Sequence, residues 1–139
     1  MARPRTRRYN AKVTSPAQRQ TETAVRSGID AARLAIDVAS DRQATDILLL
    51  DVREVTVFAD FMVIMTGGSV RQLNALASEL DEQLSKAGLK LHHREGTAVS
   101  GWVLLDFADV VIHIFSEAQR DYYTLDEVWK AARQVVRLQ

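Results

Sequence analysis

The chain contains no cysteine. That absence removes disulfide bonds, thiolate nucleophiles and cysteine-ligated zinc as devices, and it accords with a reducing cytoplasm. Nor does any apolar run approach the roughly 18 consecutive residues of a membrane-spanning helix. The stretch from Val110 to Phe115 is far too short, so no membrane partner is expected. Acidic side chains are missing from residues 1–20, which hold six basic ones: Arg3, Arg5, Arg7, Arg8, Lys12 and Arg19. This N-terminus also lacks the apolar core of a secretory signal. Its Arg-rich, acid-free composition leaves an organellar transit peptide as a second reading, but the favoured expectation for residues 1–26 is a disordered basic tail.

What is present bounds the rest. The 139 residues are 47% hydrophobic, enough for one globular domain, here expected over residues 27–139. The formal net charge is zero, but the distribution is uneven. Beyond residue 20 the chain keeps 12 basic and 18 acidic side chains, a net of −6. An acidic body argues against nucleic-acid binding by the body and suits a basic protein partner. The tail alone could touch ribosomal RNA or a membrane surface.

Ser27 or Asp30 caps a helix expected to run to about residue 42. Residues 46–52 and 60–66 are short apolar runs that read as buried strands. The connection between them keeps Val55, Val57 and Phe58 for packing. Ser69 caps a long helix to about residue 87, with Leu73, Leu76, Leu80 and Leu84 on one stripe and Gly88 just beyond its end. Residues 89–93 alternate as a third strand, and 95–101 read as a polar loop. Residues 102–107 and 110–115 are separated by two residues and predict an antiparallel hairpin. Ser116 caps a helix to about Tyr123, and a final helical segment is expected from about Leu125, carrying Val128 and Trp129. The order predicts an α+β (mixed α/β) fold: a five-stranded mixed sheet flanked by helices.

Several catalytic constellations are incomplete. Gly67-Gly68-Ser69 lies between a strand and a helix, where free N–H groups can cradle an anion, but the lysine of a P-loop is missing. A nucleotidyltransferase would place a pair of acids on the following strand to hold two metal ions. Residues 89–93 carry none, and Asp106 and Asp109 are three apart across a turn. His113 shares a strand face with Val111 and Phe115, opposite Val110, Ile112 and Ile114. Nearby Ser100 and Ser116 lie in no nucleophile elbow. His113 is therefore read as a packed sheet residue or a partner-facing one, ahead of a catalytic role. His92 and His93 point to opposite faces of a strand, and no zinc motif is present. No cofactor and no metal are expected. Trp102 is either a cover for the core or an interface anchor.

Taken together, these stretches resemble one family. Residues 44–52, residues 59–67, Ser69-Val70-Arg71 opening a helix, residues 101–115 (Gly-Trp-Val-Leu-Leu-Asp-Phe-Ala-Asp-Val-Val-Ile-His-Ile-Phe) and residues 120–129 are similar, in order, to the ribosomal silencing factor (Iojap-related) family. The family's Gly-Thr-Ser turn appears here as Gly67-Gly68-Ser69, and the basic tail is not part of the pattern. The resemblance implies a binding factor, not an enzyme, with a nucleotidyltransferase-like core that lacks the catalytic acids. It implies a partner, the fourteenth protein of the large ribosomal subunit, at the surface that meets the small subunit. Homodimers among members of that family make a homodimer a candidate state here. The partner surface is expected on the hairpin face with Trp102, Leu104 and Asp106, joined by His113, Phe115 and the Tyr122–Trp129 segment (Tyr123, Leu125 and Trp129), because aromatic and acidic groups cluster there. A divergent nucleotidyltransferase, and an assembly factor acting through another face of the large subunit, are the alternative readings.

Overall fold

A computed structural model of the chain describes residues 27–124 and 129–139. The basic tail and Leu125 lie outside the described residues. In chain order the elements are α1 (Gly28–Asp41), β1 (Thr45–Asp51), β2 (Phe61–Gly67), α2 (Val70–Lys86), β3 (His93–Thr97), β4 (Trp102–Asp106), β5 (Val110–Ser116), α3 (Glu117–Tyr123) and β6 (Arg133–Leu138). Among the described residues, the three helices begin where the sequence offers a hydroxyl cap. Ser27, Ser69 and Ser116 each accept a hydrogen bond from the backbone N–H three residues on.

One mixed sheet organises the molecule, with strand order β3-β4-β5-β2-β1-β6. All neighbours are antiparallel except the central pair, β2 and β5, which run parallel with Phe61 opposite Val110. Strand alternation divides the core in two. On one face, Ile47, Leu49, Val63, Met65, Val103, Leu105, Ile112 and Ile114 pack with the alanine face of α1 and the leucine stripe of α2. On the other, Leu48, Leu50, Met62, Ile64 and Phe115 form a second cluster, with Trp102, Val111, Trp129 and Ala132 packed at its margin. β1 and β2 are buried on both sides because each face has its own cover, which is why their sequences read as continuous apolar runs.

The sheet has six strands, not five. The final segment was expected to be helical from about Leu125; instead Trp129 to Ala132 form a turn, and Arg133–Leu138 pair with β1. Val135 and Val136 pack on the core, while the flanking arginines hold the strand electrostatically. Arg133 approaches Asp51 at 3.3 Å, and Arg137 approaches Asp46 at 2.9 Å. Asp51 also accepts from Arg53 Nε at 3.0 Å and from its terminal nitrogen at 2.7 Å. Hydrogen bonds from the Arg53 side chain, its backbone N–H and Arg133 hold the Asp51 carboxyl well below the usual carboxylate range.

The third strand is also displaced from the expected position. Leu89 and Leu91, whose alternation suggested residues 89–93, pack on the core from an irregular connection. β3 begins at His93 and runs through the stretch read as a polar loop. All five of its residues are exposed, since it is an edge strand with charged side chains, and such an edge carries no apolar alternation to betray it. The connection between β1 and β2 differs too: Val57 is 95% and Phe58 87% exposed, so these residues do not serve the core.

The glycine turn before α2 is occupied by its own chain. Ser69 Oγ accepts from Gln72 N at 3.0 Å, Gly68 N donates to Gln72 Oε1 at 2.6 Å, and Gln72 Nε2 donates to the carbonyls of Arg42 and Gln43. This is a variant of the Ser-x-x-Gln capping box, and it consumes the Gly68 N–H that an anion would need.

Candidate docking surface around Trp102

The hairpin of β4 and β5 builds the site. Phe107 N donates to Val110 O at 2.9 Å, Ala108 occupies the left-handed region at φ 73°, and Asp106 Oδ1 accepts from Ala108 N at 2.7 Å. Asp106 thus closes the turn. Among the described residues no group of three or more His, Cys, Asp or Glu side chains is placed to hold a metal ion.

The register sets Trp102 opposite Phe115, Leu104 opposite His113 and Asp106 opposite Val111. Across the other edge of β4, Thr97 faces Trp102, Glu95 faces Leu104 and His93 faces Asp106. Directly opposed residues share a sheet face, so Trp102, Leu104, Asp106, His113 and Phe115 lie on one side together with Glu95. They differ in depth. Trp102, Leu104 and Asp106 are half-buried. Phe115 is fully buried and His113 only 6% exposed, so these two lie beneath the surface and could meet a partner only through their neighbours.

Helix α3 completes the patch. The Ser116 N–H donates to Gly101 O at 2.9 Å, tying the start of α3 to the start of β4. Gly101 has φ 85°, and a Cβ there would come within 2.7 Å of Ser116 Oγ and Gln119 Cγ, so only glycine permits the approach. About two turns later Tyr123 packs against Trp102, the rings tilted by 53° with centroids 4.4 Å apart, and Trp102 lies 4.9 Å from Phe115. Tyr122 packs edge-on to Tyr123 at 4.9 Å and is 77% exposed. Trp129 stands at the margin of the same cluster, partly buried. Glu95 is the member that the sequence reading omitted; it had no signal there, because its strand was read as a loop.

Arg120 anchors α3 from below. Its guanidinium is buried, donates to Asp46 O and Thr66 Oγ1 at 2.8 Å each, and pairs with the Asp46 carboxylate at 3.2 Å. Arg120→Met would leave those acceptors poorly satisfied. It is expected to cost about 2 kcal/mol in a chemical-denaturation series, because buried charged pairs are strongly destabilising when broken and Asp46 here is only partly buried. A loss under half that value would show α3 to be held by its aromatic contacts instead.

His113 and Trp102 share a hydrogen bond: Trp102 Nε1 donates to His113 Nδ1 at 3.0 Å. The imidazole plane lies 6° from that of Phe115, with centroids 6.0 Å apart. Burial pushes the His113 pKa down to about 4, which keeps the ring neutral and able to accept.

Comparison with known proteins assigns this architecture. Residues 25–139 match the family model described as "Ribosomal silencing factor during starvation". The chain belongs to the ribosomal silencing factor family. It is 36% identical over 97 residues to the ribosomal silencing factor RsfS of Bacillus subtilis, covering 70% of this chain and 82% of that protein. It is 38% identical over 97 residues to the protein of the same name from Chromobacterium violaceum, covering 70% of this chain and 80% of that one. It is also similar to the chloroplastic protein Iojap of Zea mays, 38% over 91 residues, covering 66% of this chain and 40% of that longer protein. Among solved structures, a Chromobacterium violaceum protein superposes with a TM-score of 0.73 at 33% identity, covering 81% of this chain and 92% of that one. A Bacillus halodurans protein gives 0.66 at 32% identity, covering 75% and 94%. The basic residues 1–20 fall outside the family match. No helix among the described residues is long and apolar enough to cross a membrane.

Proposed function

We propose that this protein acts in the cytoplasm by docking the face around Trp102 on the fourteenth protein of the large ribosomal subunit, and so blocks access of the small subunit. Membership in the silencing-factor family supports a role on the ribosome. One observation points to the face: a half-buried tryptophan braced by Phe115 and Tyr123, beside exposed Tyr122, with Glu95 and Asp106 on the same side. Aromatic anchors ringed by polar groups are the usual centre of a protein interface. The acids and the −6 balance beyond residue 20 favour encounter with a basic ribosomal protein. The action is steric, because two partners cannot occupy one surface, and it requires no bond to be made or broken.

Co-sedimentation with isolated large subunits tests both parts. The protein should pellet with large subunits, and its addition before small subunits should reduce the associated ribosome peak in a sucrose gradient. Trp102→Ala is expected to weaken pelleting roughly 30-fold, about 2 kcal/mol, as for other buried aromatic anchors. A folded Trp102→Ala protein that pellets normally would remove this face from the reading. Failure of the unaltered protein to pellet at all would remove the ribosomal partner.

A further inference from the structure

Trp102 is unusual among candidate anchors in having no polar group left to offer. An indole has one donor, and here that donor is spent inside the molecule on His113 Nδ1, at 3.0 Å. Accepting this bond requires Nδ1 to be unprotonated, so the imidazole carries its hydrogen on Nε2. The His113 ring cannot readily move: it is 6% exposed, lies nearly parallel to Phe115, and sits in the sheet register between Leu104 of β4 and Ile64 of β2. The indole is therefore held at its nitrogen by a fixed acceptor and packed by Phe115 and Tyr123.

We propose that His113 is a positioning and specificity-determining residue, which fixes the Trp102 ring and withdraws its N–H, so that the partner meets ring carbon only. The inference rests on the docking face described above. It goes further in stating the chemistry expected opposite Trp102: an aliphatic side chain or the methylene stem of a lysine or arginine, with no acceptor aimed at the indole nitrogen. A carbonyl or carboxylate placed there would be desolvated without a donor, which selects against it. His113 touches no partner atom in this arrangement; it acts through Trp102.

Four variants on the full chain separate these statements, measured by pelleting with purified large subunits and by nuclear magnetic resonance of the indole protons. His113→Phe keeps an aromatic ring against Phe115 but removes the acceptor. His113→Asn places an amide oxygen near the lost Nδ1. Trp102→Phe removes the donor while keeping a ring, and also identifies which of the two indole resonances belongs to Trp102. Trp102→Ala removes the anchor. In the unaltered protein the Trp102 indole proton should exchange slowly with water. His113→Phe should speed that exchange at least tenfold and weaken pelleting about fivefold to tenfold, the scale of one lost buried hydrogen bond. His113→Asn should restore both to within about twofold of the unaltered protein, since an acceptor is regained. Trp102→Phe should keep binding within about fivefold, because the partner uses no N–H. Loss in Trp102→Phe as severe as in Trp102→Ala overturns the donor-free anchor. Unchanged pelleting by folded His113→Phe, while Trp102→Ala fails to bind, overturns the positioning role and leaves the docking face standing. Normal pelleting by Trp102→Ala takes down the docking face and this inference with it.

Discussion

Gly96→Ala is expected to be the most damaging single substitution in the sheet, costing about 4 kcal/mol. Gly96 sits in the middle of β3 at φ 81°, paired with Val103. A Cβ at this position would land on the carbonyl oxygen of Trp102 and lie 3.1 Å from its carbonyl carbon. Both atoms are main chain, so no rotamer change can relieve the clash; β3 must lift from β4 or rotate about its axis. Either movement carries Glu95 away from the face it shares with Leu104. Urea denaturation of Gly96→Ala against the unaltered chain measures the cost. A shift equivalent to less than about 1 kcal/mol would show that this edge yields cheaply and that the glycine merely tolerates its conformation. Hydrogen exchange confined to β3 and β4 would separate local peeling from global unfolding.

Acid should weaken the fold through His113 before it does so through the carboxylates. Burial depresses the His113 pKa to about 4, against 6.5 for an unperturbed imidazole. Between those values the unfolded chain binds a proton that the native state refuses. Stability from this group is therefore complete above about pH 6.5 and falls as the pH drops toward 4, by about 3 kcal/mol over the window. Protonation also abolishes the acceptor for the Trp102 indole, so strain and desolvation act together. Asp51 follows at lower pH. Its carboxyl is held below the usual range by Arg53 and then Arg133, so its contribution is full above the ordinary carboxylate pKa and is lost beneath it. The comparison of interest is between the unaltered protein and His113→Asn, which accepts from the indole but does not titrate. Equilibrium unfolding at pH 7.5 and pH 4 should show the variant losing about 3 kcal/mol less on acidification. Parallel losses in the two proteins would mean that His113 titrates normally and that its burial costs little.

The features legible in the sequence were those carried by local, repeated signals. Three serine caps, the leucine stripe of α2 and the two-residue hairpin between β4 and β5 all stand where their patterns place them. β3 and β6 were missed for a shared physical reason: both are edge strands. An edge strand has one neighbour and one open side, so its residues carry the charges that stop further pairing and not the alternation that marks a half-buried strand. For β6, the apolar Val128 and Trp129 ahead of it suggested a helix, whereas what makes Arg133–Leu138 a strand is long-range: its pairing with β1, the packing of Val135 and Val136, and the pairs of Arg133 with Asp51 and Arg137 with Asp46. The candidate site was legible in part. The alternation correctly put Trp102, Leu104, Asp106, His113 and Phe115 on one face, but it could not tell depth along that face. Phe115 and His113 lie below because β2 and α3 flank them, and neither neighbour is adjacent in sequence. Val57 and Phe58 mark the opposite error, apolar residues that pattern alone assigns to the core and that stand in solvent.

The parallel pairing of β2 with β5 has a kinetic consequence. Phe61 meets Val110 only after α2, β3 and β4 have been passed, so the centre of the sheet closes a long loop, as does edge strand β6 on β1, while the β1–β2, β3–β4 and β4–β5 pairs close short ones. Contacts of high sequence separation carry the entropy of that closure before they return any burial. The β4–β5 hairpin is local and can form early. The joining of this unit to β2 is then the expected rate-limiting event. Substitutions at Val63 or Ile112, which face each other across the junction, should slow refolding, whereas changes in edge strand β3 should chiefly speed unfolding.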